Sequence, residues 1–274
     1  MQPINVQQSV MIFFFCVVVW ACQKSTSPDR NSTLRNWDTT QRLTTFGDTG
    51  VCIGNSIIAG HPWNYSGLET NWLTRPDSPG QINYRLTQLT KFPWINHGWG
   101  GQNTVQIRKR FLRDAIGLTV DVGDARPNRT LGGKPSYVVI EGGVNDFEQL
   151  IPLSTVEDNI VWMASTCKQY NIHCIVLNCV GQGNGRFNLS ELANVKALNT
   201  WLADGALDSV NVTLVDINSL WNSGTYGGVS AYGNDNVHYS SLVDSADGIH
   251  FTKAGYDSIA YAIFRVAKLP ITTK

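Results

Sequence analysis

The chain has no surplus of charge of either sign. Its 274 residues carry 21 Lys and Arg against 21 Asp and Glu, whereas nucleic-acid binders show a basic excess that neutralises phosphates. Nucleic acid is therefore not an expected partner. The sequence also lacks a CxxC pair and any His-rich spacing, so neither a metal site nor a metal cofactor is expected. No internal repeat breaks the chain, and no composition shift marks a second domain. At roughly 100–200 residues per domain, the length lies between one large domain and two small ones. A single α/β domain of this size buries about 75% of its unfolded surface, so its core stands without disulfide staples. Low charge and nine Trp suit neutral or sugar-like substrates.

The apolar run Val10–Ala21 falls short of the ~20 residues that a membrane-spanning helix needs. It has the length of a signal-peptide apolar region. Val19-Trp20-Ala21-Cys22 resembles a bacterial lipobox, which makes Cys22 the expected lipidation site and the chain an exported, membrane-anchored lipoprotein of a bacterial periplasm or cell surface, with secretion as the alternative. Residues 1–21 hold no Lys or Arg, a departure from the usual leader, and a buried N-terminal strand or helix is the alternative. The expected organisation is a leader over residues 1–21, a flexible tether over 22–45 and one folded domain over 46–274. Cys52 and Cys179 lie in apolar runs and read as buried thiols, while Cys167 and Cys174 flank a turn and could pair in an oxidising compartment.

From residue 50 onwards, apolar runs rich in Val and Ile alternate with amphipathic stretches. Gly50–Gly54, Pro93–His97, Tyr137–Glu141, His173–Leu177 and Val212–Ile217 predict strands. Gln81–Lys91, Thr104–Ile116, Thr155–Tyr170, Ser190–Leu207 and Thr252–Ala267 predict helices between and after them. This alternation implies parallel crossovers and a sheet covered on both faces. Glycines crowd the strand ends, and in such sheets the ligand crevice lies beyond the carboxyl ends of the strands. The polar stretches Gly117–Pro135 and Trp221–Ala246 read as loops. The second leads into the C-terminal motif and is a candidate wall of the cleft.

Four segments carry chemistry. Gly54-Asn55-Ser56 places a serine at a strand-to-helix turn, without the second glycine of a G-x-S-x-G elbow. A serine hydroxyl is a weak nucleophile until an adjacent imidazole removes its proton, and that imidazole needs an acceptor on its other nitrogen. Asp247-Gly248-Ile249-His250 offers both groups within one tight turn. Acyl transfer also needs donors aimed at the developing oxyanion. Gly101, in a glycine-rich segment after the second strand, exposes a backbone N–H, and Asn145, in Gly142-Gly143-Val144-Asn145-Asp146, offers a carboxamide. Each segment alone also reads as an ordinary turn or helix cap.

In this order, each at a strand end, the segments resemble the four sequence blocks of SGNH (GDSL-like) hydrolases. The first block is Gly54-Asn55-Ser56, the second-block glycine matches Gly101, the third block is Gly143-Val144-Asn145-Asp146, and the fourth is Asp247-Gly248-Ile249-His250 with its trailing Ala254-Gly255-Tyr256. The resemblance runs from about Gly50 to Ala267. It implies a three-layer α/β/α sandwich, flavodoxin-like, with a five-stranded parallel sheet. It implies Ser56 as nucleophile, His250 as general base and then acid, and Asp247 as its orienting group. It further implies an oxyanion hole from the Ser56 and Gly101 N–H groups and the Asn145 side chain, and no cofactor. Asn55 departs from the family's usual Asp, which puts in doubt any role needing that carboxylate.

The resemblance and the export signals together predict an esterase that removes acetyl or other small acyl groups from glycans. A lipase, lysophospholipase or thioesterase is the alternative reaction, and an inactive lipid-anchored glycan-binding module is the alternative class. Trp63, Trp99 and His97 adjoin the first two blocks and are candidate substrate contacts. Tyr65, His61 and His238 are further cleft candidates, while Glu141 reads as a strand-end carboxylate with a structural partner.

Overall fold

The computed structural model describes residues 49–63, 78–123, 134–182, 187–222, 241–244 and 246–272. The leader, Cys22 and the tether lie outside the described residues, as do Tyr65, His238 and much of both polar loops. Five strands form: β1 (Gly50–Gly54), β2 (Trp94–Gly98), β3 (Tyr137–Ile140), β4 (His173–Leu177) and β5 (Thr213–Val215). They make one sheet in the order β2-β1-β3-β4-β5, with every neighbouring pair parallel. The helices are α1 (Ser56–Ala59), α2 (Ile82–Thr90), α3 (Thr104–Asp114), α4 (Val144–Glu148), α5 (Leu153–Gln169), α6 (Leu189–Ala203), α7 (Asn218–Trp221) and α8 (Lys253–Val266). On one side α2 packs against α8, and on the other α3 and α6 pack against α5. The fold is the expected three-layer α/β arrangement with a five-stranded parallel sheet. No helix among the described residues is long and apolar enough to cross a membrane.

The central strands read as continuous apolar runs because both faces are covered. Val51, Cys52 and Ile53 of β1 and Val138, Val139 and Ile140 of β3 are all buried. β5 is shorter than its apolar run predicts. The Asn178 carboxamide oxygen, just past β4, accepts from Ile217 N (2.7 Å) and Asn218 N (2.9 Å), which diverts the chain from the ladder. α1, α4 and α7 are too short to show a 3.6-residue period and were not predicted from it.

The bridge entertained for Cys167 and Cys174 is not formed; both are buried free thiols. The turn that joins α5 to β4 closes through Ile172 N on Cys167 O (2.9 Å), so the core packs there without a covalent link. Burial, and then the neighbouring Cys174, push the Cys167 thiol well above its ordinary range.

In the order 2-1-3-4-5 the chain reverses direction between β1 and β3. Ligands in such sheets bind outside the carboxyl ends of the strands at that reversal. Ser56 follows β1 and Asn145 follows β3, so the topology alone brings both to one crevice.

Candidate active site

Asn55 is the residue before α1, and its Oδ1 accepts from Ile57 N (2.8 Å). That cap fixes the first turn, whose first residue is Ser56. At the other end of the chain, Asp244 N bonds to His250 O (2.7 Å) and Thr252 N to Leu242 O (2.7 Å), pinching the Asp247–His250 turn shut. Asp247 Oδ1 accepts from Ile249 N (2.8 Å) and His250 N (3.0 Å). Its Oδ2 lies 2.6 Å from His250 Nδ1, and His250 Nε2 lies 2.7 Å from Ser56 Oγ. An ionised carboxylate can only accept, so Nδ1 carries the proton and Nε2 faces the serine as a base. Burial alone would raise the Asp247 pKa. The hydrogen bonds from the His250 ring and from the two N–H groups outweigh burial and hold it well below the usual carboxylate range.

The donor segments meet the same crevice. Gly101 has φ 74°, in the left-handed region, and a side chain there would point into open space. The Asn145 carboxamide gives one proton to Gln102 O (2.9 Å), which ties α4 to the segment after β2 and fixes its plane. Asp146 accepts from Thr104 N (2.9 Å) and Thr104 Oγ1 (2.5 Å). This braces α4 against α3, a contact that neither the third-block resemblance nor the helix-cap reading of the segment implies.

The sequence did not reveal what lies beneath. Arg110 of α3 is 1% exposed and staples two strand ends, donating to Gly54 O (2.9 Å) and His97 O (2.9 Å). It also reaches Gln102 Oε1 (2.7 Å) and Asp114 Oδ2 (3.1 Å). In the sequence it is one more Arg on an amphipathic helix. Glu141, the residue after β3, faces Asn55. Burial pushes its carboxyl up to about 8, against the hydrogen bonds from Asn55 and with Asp146 adding to the rise.

The substrate-contact candidates divide. Trp63 is 37% exposed; its indole N–H donates to Phe251 O (2.9 Å), and the Lys253 ammonium sits 5.0 Å over its ring. It therefore stands beside the His250 segment, at the crevice. Trp99 is half-buried just past β2, and its backbone N–H donates to Gly54 O (3.0 Å). His97 does not line the cleft. It is 1% exposed, and the strand pleat turns it inward. Its neighbour Asn96 turns to the opposite face, onto Ile58 O (2.9 Å).

His61 comes nearer than its sequence position suggested, with its ring centroid 4.4 Å from that of His250. The Tyr256 hydroxyl donates to His61 O (2.7 Å). Among the described residues, His61, Asp247 and His250 form the group whose ligand atoms, within 4.8 Å of one another, could hold a metal ion. Asp247 and His250 already engage each other and Ser56 there.

The fold and the four converging segments place the chain among the GDSL-like hydrolases. The model of the GDSL-like lipase/acylhydrolase family matches residues 52–257, and the chain belongs to this family, whose members hydrolyse ester bonds. No curated protein matches it. Among solved structures, a GDSL-like lipase from Bacteroides thetaiotaomicron is 18% identical, with 81% of this chain and 88% of that one covered and a TM-score of 0.53. An acetyl xylan esterase from Geobacillus stearothermophilus is 16% identical, with 83% and 98% covered and a TM-score of 0.55. The psychrotrophic esterase EstA from Pseudoalteromonas is 14% identical, with 81% and 97% covered and a TM-score of 0.52. At these identities the likeness is one of fold.

Proposed function

We propose that the protein is a serine esterase that removes acetyl or other small acyl groups from carbohydrates. The observation that carries this is the unbroken relay Ser56 Oγ to His250 Nε2 (2.7 Å) and His250 Nδ1 to Asp247 Oδ2 (2.6 Å). His250 takes the serine proton as Ser56 Oγ attacks the ester carbonyl carbon, and the imidazolium is steadied by Asp247. The oxyanion forms against the Ser56 and Gly101 N–H groups and the second carboxamide proton of Asn145. His250 returns its proton to the leaving alcohol, leaving an acyl-enzyme. A water molecule, deprotonated by the same imidazole, then releases the acid and regenerates Ser56. The sugar preference rests on Trp63 beside the His250 segment, since an exposed aromatic ring there suits stacking on a pyranose. The fold likeness to an acetyl xylan esterase agrees with it.

A fluorophosphonate probe should label the protein covalently, and Ser56→Ala should abolish that labelling. Folded protein that stays unlabelled would instead favour a glycan-binding module. Acetate release from acetylated xylan, set against p-nitrophenyl esters of rising chain length, tests the substrate. Turnover confined to long chains would replace the carbohydrate reading with a lipase. The export proposal rests on Val10–Ala21 and Cys22; fatty-acid labelling in a bacterial host that survives Cys22→Ser would remove it.

A further inference from the structure

Asn55 is where this chain departs from its family's first block, and the structure shows what it faces. Asn55 is 0% exposed and Glu141 1%. The carboxamide divides its two ends. Oδ1 accepts from Ile57 N (2.8 Å), one residue past the nucleophile, while Nδ2 donates to Glu141 Oε1 (3.1 Å). The Asn55 backbone N–H lies 3.4 Å from Glu141 Oε2. The pair thus bridges the ends of β1 and β3, where the strand order reverses. Space is tight there: a side chain on Gly54 would come within 2.8 Å of Glu141 O and 3.0 Å of Oε2. Capping α1 needs only an acceptor, which Asp would supply equally well. Meeting Glu141 without sharing a proton needs a donor, which an ionised Asp lacks.

We propose that Glu141 is a positioning residue for Ser56, acting through Asn55. The carboxyl sets the plane of the Asn55 carboxamide, the carboxamide sets the first turn of α1, and that turn holds Ser56 Oγ under His250 Nε2. Asn in place of Asp is, on this view, the amide half of an amide–carboxyl pair rather than a loss of function. The proposal rests on the esterase reading and deepens it. The titratable groups facing Glu141 are Asp146 from α4, the Cys179 thiol past β4 and Tyr256 from α8. Burial holds Cys179 and Tyr256 well above their ordinary ranges, so both stay neutral near pH 8.

The test inverts the pair. Asn55→Asp sets two buried carboxyls against each other, which can coexist only while they share a proton. Its kcat should fall as pH rises from 6 to 9, by about tenfold or more against wild type at pH 9, the order expected for a misplaced reacting group. KM should change little, because no substrate contact is removed. Asn55→Asp with Glu141→Gln restores one donor and one acceptor to the pair and should recover kcat and flatten the profile. The rate of fluorophosphonate labelling of Ser56 should follow kcat, with near-UV circular dichroism confirming the fold. A single variant that tracks wild type at every pH overturns the proposal, as does a double variant no better than the single. Should Asn55→Asp fail to fold, Glu141→Leu takes its place: it removes the acceptor for Nδ2 and should lower kcat at constant KM, and a wild-type kcat overturns the proposal. Unreactive Ser56 in the wild-type protein sinks the esterase reading and this one together; reactive Ser56 with indifferent variants sinks this one alone.

Discussion

Asp247 accepts hydrogen bonds from the His250 ring and from two N–H groups of its own turn. An acceptor so committed fixes which imidazole nitrogen bears the proton, and that choice decides whether His250 can act as a base toward Ser56. Asp247→Asn keeps the size and the turn but offers an N–H to Nδ1, which favours the wrong tautomer. The expected result is a loss of about 10⁴ in kcat with the circular dichroism unchanged; a loss below tenfold would mean that Asp247 does not orient His250. This much was legible in the sequence, because Asp-x-x-His closes on itself locally and chemistry restricts the partners of an imidazole. The Asn55–Glu141 contact was not, since 86 residues separate its members and neither half has a distinctive spacing. His97 misled for a related reason. Lying next to a family block does not say which face of the strand a side chain takes, and the pleat turned it inward.

Elements carry the site to within hydrogen-bonding distance, and two of them do so by unusual means. α8 is capped by Thr252, whose hydroxyl accepts from Gly255 N (3.2 Å). Gly255 is small enough to pass Leu242 O, where a Cβ would come within 2.3 Å, and the next residue, Tyr256, reaches His61 O. The residues trailing the fourth block thus lock α8 to the loop after α1, holding His250 and Ser56 in one frame. α3 contributes Arg110, a buried cation on two strand-end carbonyls and on Asp114. Arg113 still pairs with Asp114 (2.6 Å) when Arg110 is removed, but the buried charged hydrogen bonds to Gly54 O, His97 O and Gln102 Oε1 are lost, at a cost of about 1.5–3 kcal/mol each. Arg110→Met should therefore lower the urea midpoint strongly and take activity with it; an unchanged midpoint would show that the staple carries no load. Helix and strand positions were legible wherever burial on both faces wrote long apolar runs, as in β1 and β4, whose predicted and observed ends coincide. They were lost where a single side chain decides the outcome, as Asn178 does at the end of β5.

Across the whole molecule, the reversal in strand order gathers carboxyl groups as well as Ser56 and Asn145, and burial makes those carboxyls sensitive to pH. Glu141 is raised from 4.5 to about 8, and burial likewise raises Asp146 against its hydrogen bonds from Thr104. A raised carboxyl keeps its proton in the folded state over a range in which the unfolded chain has already lost it. Between about pH 4.5 and 8 the native state therefore binds more protons at this group, and the Glu141 contribution to stability falls as pH rises through that window, levelling off above it. At about 1.4 kcal/mol per pKa unit, the Glu141 share alone is large enough to move a melting curve. Glu141→Gln removes the titration while keeping an acceptor for Asn55 Nδ2. Wild type and variant, melted side by side from pH 5 to 9, should diverge in favour of the variant as pH climbs towards 8, then run parallel. Curves parallel throughout would mean that the Glu141 carboxyl titrates alike in the folded and unfolded chain, and that water reaches a carboxyl the packing shows as sealed.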